Sequence, residues 1–304
     1  MRKYLIIGIM VLMMLVPIAS ALNTISIEKT ELQKSLDATI GQPTHTVIVE
    51  YGTITTCPYC AIASNQLYSL YNSGDLDFYY VSLVGDEGNL NIYSRLKELG
   101  VTAVPDVFFD GKYKDIKGAQ SNEQPYRNAI TQAGERAVPD IDVDINAEWK
   151  GKAAIKITVT VQNNEPEKYA GKLRVYIVEK ESRWNDKSGN PFHYAALDIP
   201  IDRSLAAVSQ HQSCPMPLGN TRTFTKTWYG ALHGFGDITK ENTLVIAAVF
   251  DSDTDYAVQA DAAEPTGEGS IDVQYQTINA MFSLIKSLPD NHPINNILNR
   301  ILST

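Results

Sequence analysis

Cysteine is scarce in this chain: three in 304 residues, at Cys57, Cys60 and Cys214. A secreted fold stapled by disulfides carries more. A CxxC loop is also too short to restrain much of the unfolded chain, because closure entropy grows with loop length. A structural zinc site usually draws its four ligands from two such pairs, and only one is present. The stretch "TTCPYCAI", residues 55–62, therefore reads most strongly as a redox pair. Clusters of Lys and Arg are missing too. There are 26 basic and 35 acidic residues, a formal charge of −9, which argues against nucleic acid and against electrostatic binding to anionic lipid. The sequence has no Gly-rich phosphate loop, no motif for Ser-His-Asp chemistry, no repeat and no low-complexity tract.

Long apolar runs are equally rare. One opens the chain: "YLIIGIMVLMMLVPI", Tyr4 to Ile18, uncharged, preceded by Arg2 and Lys3 and followed by Ala19-Ser20-Ala21. A positive start, an apolar stretch and small residues are the layout of a secretory signal over residues 1–21. The run is shorter than the ~20 residues a spanning helix prefers; the alternative is an uncleaved anchor. Cleavage leaves 24 basic against 35 acidic residues, a charge of −11. A 44% hydrophobic fraction suffices for ordinary cores, and the length suggests two domains.

After a short predicted helix "KTELQKSLD", the pattern alternates. "THTVIVEYGT" is a strand. "AIASNQLYSLYNSG" spaces Ile62, Leu67, Leu70 and Tyr71 as a helix ended by Gly74. "LDFYYVSLV" is a second strand, and "NLNIYSRLKELG" a helix striped by Leu90, Ile92, Leu96 and Leu99. "TAVPDVFFDGKY" is a proline-led strand with a turn at Asp110-Gly111, and "QPYRNAITQAGER" a closing helix.

Cys57-Pro58-Tyr59-Cys60 between a strand and a helix, with Val104-Pro105 opening a later strand, resembles the thioredoxin fold over roughly residues 24–136. The Pro-Tyr pair is the one glutaredoxins use, whereas the exported context resembles secreted disulfide oxidoreductases. The tryptophan that thioredoxins place before the first cysteine is replaced by Thr56. The resemblance implies an enzyme that exchanges disulfides with client proteins and is recycled by a redox partner; no cofactor and no metal are expected.

Cys57, at the helix start, is the expected low-pKa exposed nucleophile, because unpaired N–H groups and the helix dipole favour a thiolate there. Cys60, one turn on, resolves the mixed disulfide. The family's matching proline is cis, so the resemblance implies a substrate-binding role for Val104 and Pro105, with the Val104 backbone pairing with the substrate chain. Glu50 ends the strand "TVIVE" near where relatives bury an acid beneath the pair; it is read either as the proton acceptor for Cys60 or as a solvent-facing strand-end residue.

From about Val138 the texture changes. "DIDVDI" alternates strictly, and "AAIKITVTVQ", "GKLRVYIVEK", "TRTFTKTWY", "TLVIAAVFD" and "YAVQADAA" follow without a long helix. About seven short strands over residues 138–263 suggest an antiparallel, Ig-like β-sandwich. Residues 182–220 read as one long connection holding His193, His211 and Cys214; Cys214 reads as a bland cysteine more than a metal ligand. The layout of domains at 22–136 and 138–263 resembles surface and outer-membrane-associated bacterial proteins. Residues 264–304 are a linker and two short amphipathic helices around Ile278–Ile285 and Ile294–Ile301, expected to dock back on a domain, with a dimer contact or a membrane-surface contact as the alternatives. The rival reading is a surface binding protein that uses the thioredoxin-like part as a scaffold and the cysteine pair as a passive disulfide.

Overall fold

The computed structural model describes residues 43–205, 207–209, 212–214 and 219–269. The signal segment, the predicted helix at Lys29–Asp37, His211 and the C-terminal amphipathic stretches lie outside the described residues. No helix among the described residues is long and apolar enough to cross a membrane.

The first half follows the predicted order. Strand β1 (Val47–Thr53) leads through the cysteine loop to helix α1 (Cys60–Ser73), then β2 (Phe78–Val84), α2 (Leu90–Leu99), β3 (Asp106–Phe109), β4 (Lys114–Lys117) and α3 (Gln124–Gly134). Helix α1 buries Cys60, Ala63, Ser64, Leu67 and Leu70, a three-and-four spacing that keeps one stripe on the sheet. Gly74, at φ 68°, ends it in the left-handed conformation that suits a residue without Cβ. Asn89 starts α2 by accepting the N–H groups of Asn91 and Ile92 on its side-chain oxygen, which satisfies donors that have no helical partner.

The second half adds β5 (Ile141–Gly151), β6 (Ala154–Asn163), β7 (Gly171–Asn185), β8 (Pro191–Ser204), β9 (Ala207–Ser209), β10 (Gln212–Cys214), β11 (Thr221–Tyr229), a 3-10 turn (Gly230–His233), β12 (Thr243–Asp251) and β13 (Ala257–Ala263). It is strand-rich, as the alternation implies, but its larger layer is not a sheet of its own. A single eight-stranded sheet runs β13-β12-β7-β8-β2-β1-β3-β4 through both halves. The seam is the parallel pair β2–β8, joined by one backbone pairing, Ser82 with Ala195. Side chains reinforce it: Ser82 Oγ donates to the His193 carbonyl at 2.7 Å, and Asn89 Nδ2 donates to the Leu197 carbonyl and the Asp198 carboxylate. The change of texture near Val138 is therefore a change of sequence pattern within a shared sheet.

Three apolar clusters fill the molecule. One lies under α1 and α3 and holds Val47, Val49, Tyr51, Tyr80, Phe109 and Tyr126. A second occupies the opposite face, where Ile48, Val81, Leu83 and Phe108 meet α2 and also Tyr176, Ile246 and Phe250 of the second half. The third lies between the sheet β11-β6-β5 and the far end of the large one, with Ile155, Ile157, Val175, Ile177 and Trp228. The large sheet curls so that its ends meet: Gly111 bridges Tyr256, and the Ala257 N–H donates to the Asp110 carbonyl.

Residues 182–204 are not the polar connection the composition suggests. They form the end of β7, a tight turn at 186–190 and the whole of β8. Phe192, Ala195, Ala196, Leu197, Ile199 and Ile201 are buried there. A strand covered on both faces shows a weak alternation, and small residues among polar ones hid it.

Candidate redox site

Cys57 and Cys60 form a disulfide with a Cα–Cα distance of 5.5 Å. Cys57 lies in the turn before α1, its N–H donating to the Ile54 carbonyl at 3.3 Å, and Cys60 is the first residue of the helix. The helix thus begins three residues later than the sequence reading places it. Tyr59, at the N-cap, gives no side-chain cap, and no acidic residue stands in the first turn. The positive end of the helix is left to a neighbouring anion, and a thiolate at Cys57 is the group placed to use it. In the disulfide form Cys57 is 5% exposed and Cys60 fully buried. The exposed surface is the rim: Thr56, Pro58, Tyr59 and Ile62. An exposed sulfur at Cys57, as expected from its position, is not what this state shows, because the sulfur is turned into the bond with Cys60.

The Val104–Pro105 peptide is cis, and the Val104 carbonyl oxygen lies 3.8 Å from Cys57 Sγ. Pro105 is buried, and its own carbonyl accepts the Gly118 N–H at 2.8 Å. The strand after it begins with Asp106, buried, with neither carboxylate oxygen hydrogen-bonded. Burial pushes the Asp106 carboxyl up to about 6, against a smaller pull from Lys117.

Glu50 does not face the cysteines. Alternation along β1 puts Val47, Val49 and Tyr51 in the cluster with the disulfide and Ile48 in the opposite one; Glu50 follows Ile48. Its carboxylate takes the Arg95 Nε and Nη2 at 2.7 and 2.6 Å and the Tyr176 hydroxyl at 2.6 Å. Burial alone would raise this carboxyl; the Arg95 charge and hydrogen bonds, with Arg174 and Tyr176, hold it below the ordinary range. The reading of Glu50 as proton acceptor for Cys60 is corrected on this geometry, as is its solvent-facing alternative. Glu50 is a fully buried anchor between the halves.

The residue beneath the pair is Tyr51. Its hydroxyl lies 2.7 Å from the Cys60 carbonyl oxygen and 3.1 Å from Thr53 Oγ1. A carbonyl only accepts, so the Tyr51 O–H donates to Cys60 and receives the Thr53 hydroxyl. Counting by twos from Val47 in "VIVEYGT" would have found it.

The β-rich half also reaches this site. Trp184, Phe192, Tyr194 and Ala195, on the β7–β8 hairpin, belong to the apolar cluster that contains Cys57 and Cys60. His193 stacks on Tyr68, and Tyr194 meets Tyr71 and Tyr80 edge-on. Tyr68 and Tyr71 are on α1, so the hairpin rests on the helix that begins at Cys60. Cys214 ends β10, its backbone paired with Ala207. Among the described residues no group of three or more His, Cys, Asp or Glu is placed to hold a metal.

Residues 48–114 match the family model described as glutaredoxin. No curated protein matches the chain. Among solved structures, HBP35 of Porphyromonas gingivalis is similar at 14% identity and a TM-score of 0.55, over 77% of this chain and 81% of that one. A domain of the outer membrane lipoprotein Omp28, also of Porphyromonas gingivalis, matches at 19% identity over 43% of this chain and 93% of that one, with a TM-score of only 0.25. The first half is a glutaredoxin/thioredoxin-fold domain followed by a strand-rich region, the same architecture as HBP35. Such a domain with a Cys-x-x-Cys pair supports a redox role in general.

Proposed function

We propose that the protein is an exported thiol–disulfide oxidoreductase that exchanges disulfides with client proteins through Cys57 and Cys60. In the reducing direction the Cys57 thiolate attacks one sulfur of a client disulfide. A mixed disulfide forms and the client's other sulfur leaves as a thiolate. Cys60 attacks Cys57 Sγ, its proton passing to the client's departing thiolate. The internal disulfide closes and the client leaves as a dithiol, reduced by two electrons at the expense of the pair. A second redox protein restores the dithiol. The oxidising direction is the same sequence reversed, and potentials on this skeleton span about −270 to −120 mV.

The observation that carries the reading is the disulfide at an uncapped helix start, facing the Val104 carbonyl before a cis-proline. Val104 and Pro105 are the residues proposed to contact the client chain, Val104 through backbone hydrogen bonds of the edge-strand kind and Pro105 by fixing the backbone there. Export rests on the basic, apolar and small-residue pattern of residues 1–21.

The rival reading is a surface binding protein with a passive disulfide, in which the closed pair never opens. Non-reducing gels of the exported protein separate the two. Cys60→Ala leaves an attacking thiol without its resolving partner, so it should show high-mass bands that reductant abolishes. Cys57→Ala should show none. A Cys60→Ala lane free of such bands establishes the passive disulfide.

A further inference from the structure

We propose that Tyr51 is a positioning residue of the redox pair: by holding the Cys60 carbonyl it sets how strongly the protein favours the disulfide over the dithiol. This deepens the oxidoreductase reading and rests on it.

Tyr51 is fully buried on β1, and its hydroxyl donates to Cys60 at 2.7 Å while accepting from Thr53 at 3.1 Å. The hydroxyl therefore has one orientation, fixed from behind by Thr53. Burial raises the Tyr51 pKa above its ordinary value, so the donor stays protonated. Cys60 is the first residue of α1, where the helix has no side-chain cap at its N-terminus. Here the tie from β1 holds the first helical residue against the sheet by its carbonyl, while the first-turn N–H groups stay without a side-chain cap. Glu50, the neighbouring acid, is turned to the other face and committed to Arg95 and Tyr176.

The hydrogen bond is present with the disulfide closed. If closure places the Cys60 carbonyl against Tyr51, then Tyr51 reciprocally favours closure, because a coupling free energy acts equally in both directions. Removing the hydroxyl should weaken the disulfide relative to the dithiol. The helix itself should persist, since Tyr51→Phe keeps the ring in the core.

The test is equilibration of the purified full chain with glutathione redox buffers, with alkylation to count the dithiol. Tyr51→Phe should lower the equilibrium constant for disulfide formation about three- to tenfold. Thr53→Val, which removes only the orienting donor, should move it the same way by less. Thermal unfolding of oxidised and reduced forms gives a second reading: Tyr51→Phe should lower the melting temperature of the oxidised form more than that of the reduced form. Equal losses in both forms, with equilibrium constants within twofold of wild type, would reduce Tyr51 to a packing residue and overturn the proposal. A wild-type chain that fails to exchange with glutathione at all would instead bring down the oxidoreductase reading.

Discussion

The imidazole of His193 lies on the phenol of Tyr68, ring centroids 3.5 Å apart and planes within 6° of parallel. One residue belongs to the β-rich half and the other to the helix of the cysteines, so the second half bears directly on the redox helix.

This stack should be pH-sensitive. Burial holds the His193 pKa below its ordinary 6.5, with the Lys180 backbone and Glu181 pulling partly back. A folded-state value below the unfolded one means full stability above pH 6.5, lost as pH falls through the lowered value. Melting temperatures at pH 8 and 5.5 should show the loss in wild type, and His193→Phe, which keeps a stacked ring, should show less of it. His193→Ala should cost about 1 kcal/mol at pH 8 from the lost ring pair.

Glu50→Gln should destabilise strongly. It leaves the Arg95 guanidinium buried and short of its main counter-charge, a change worth about 3–5 kcal/mol. The wild-type carboxyl lies below its ordinary 4.5 in the folded state, so its contribution is present above 4.5 and lost on further acidification. Urea titrations from pH 7 to 3 should show that acid loss in wild type and a flatter dependence in the variant. The alkylation rate of Cys57 in folded, reduced protein should not change.

Asp106 works in the opposite sense. Its folded value, about 6, stands above the ordinary 3.8, so stability is fully present below 3.8 and declines as pH rises through 6. Asp106→Asn should stabilise the protein at pH 8 by on the order of 1–2 kcal/mol, with no gain at pH 4. Denaturant midpoints at the two pH values decide it.

A chain ending at Arg136 should not hold a native core. Cutting there uncovers Ile48, Val81, Leu83 and Phe108 and removes Tyr176 from Glu50. Broad, weakly cooperative unfolding of such a fragment is the expected outcome; a sharp two-state transition would show that the first half stands alone.

The fold of the first half was legible because each element obeys its own period. Leu67 and Leu70 sit at helical spacing, Val47 and Val49 at strand spacing, and the glycines after α1 and α2 mark the stops. The cysteine pair and Pro105 were legible as a spaced combination. What stayed hidden was relational. Nothing local in "HYAALDIPI" announces that β8 lies beside β2, since one backbone pairing and a few side chains make the seam. Glu50 lies in β1 near where relatives bury an acid beneath the pair, yet the period-two rule along the strand turns it to the opposite face. Tyr51 was passed over because a buried tyrosine in a strand looks like packing until its hydroxyl partner is known.

The meeting of the sheet's two ends has a consequence for how copies of the chain behave together. A sheet that stops in open water offers unpaired N–H and C=O groups to the next molecule. Here one terminal strand is short and charged, "KDIK", with Lys114, Asp115 and Lys117 in four residues. The other, β13, lies beside β5, where the Ile145 N–H donates to the Asp261 carboxylate. The hairpin before β4 is pinned to the start of β13 through Gly111 and Tyr256. The curl thus sets the two borders of the large sheet against each other, and among the described residues the longer open edge left to strand-on-strand growth is β11 of the smaller sheet.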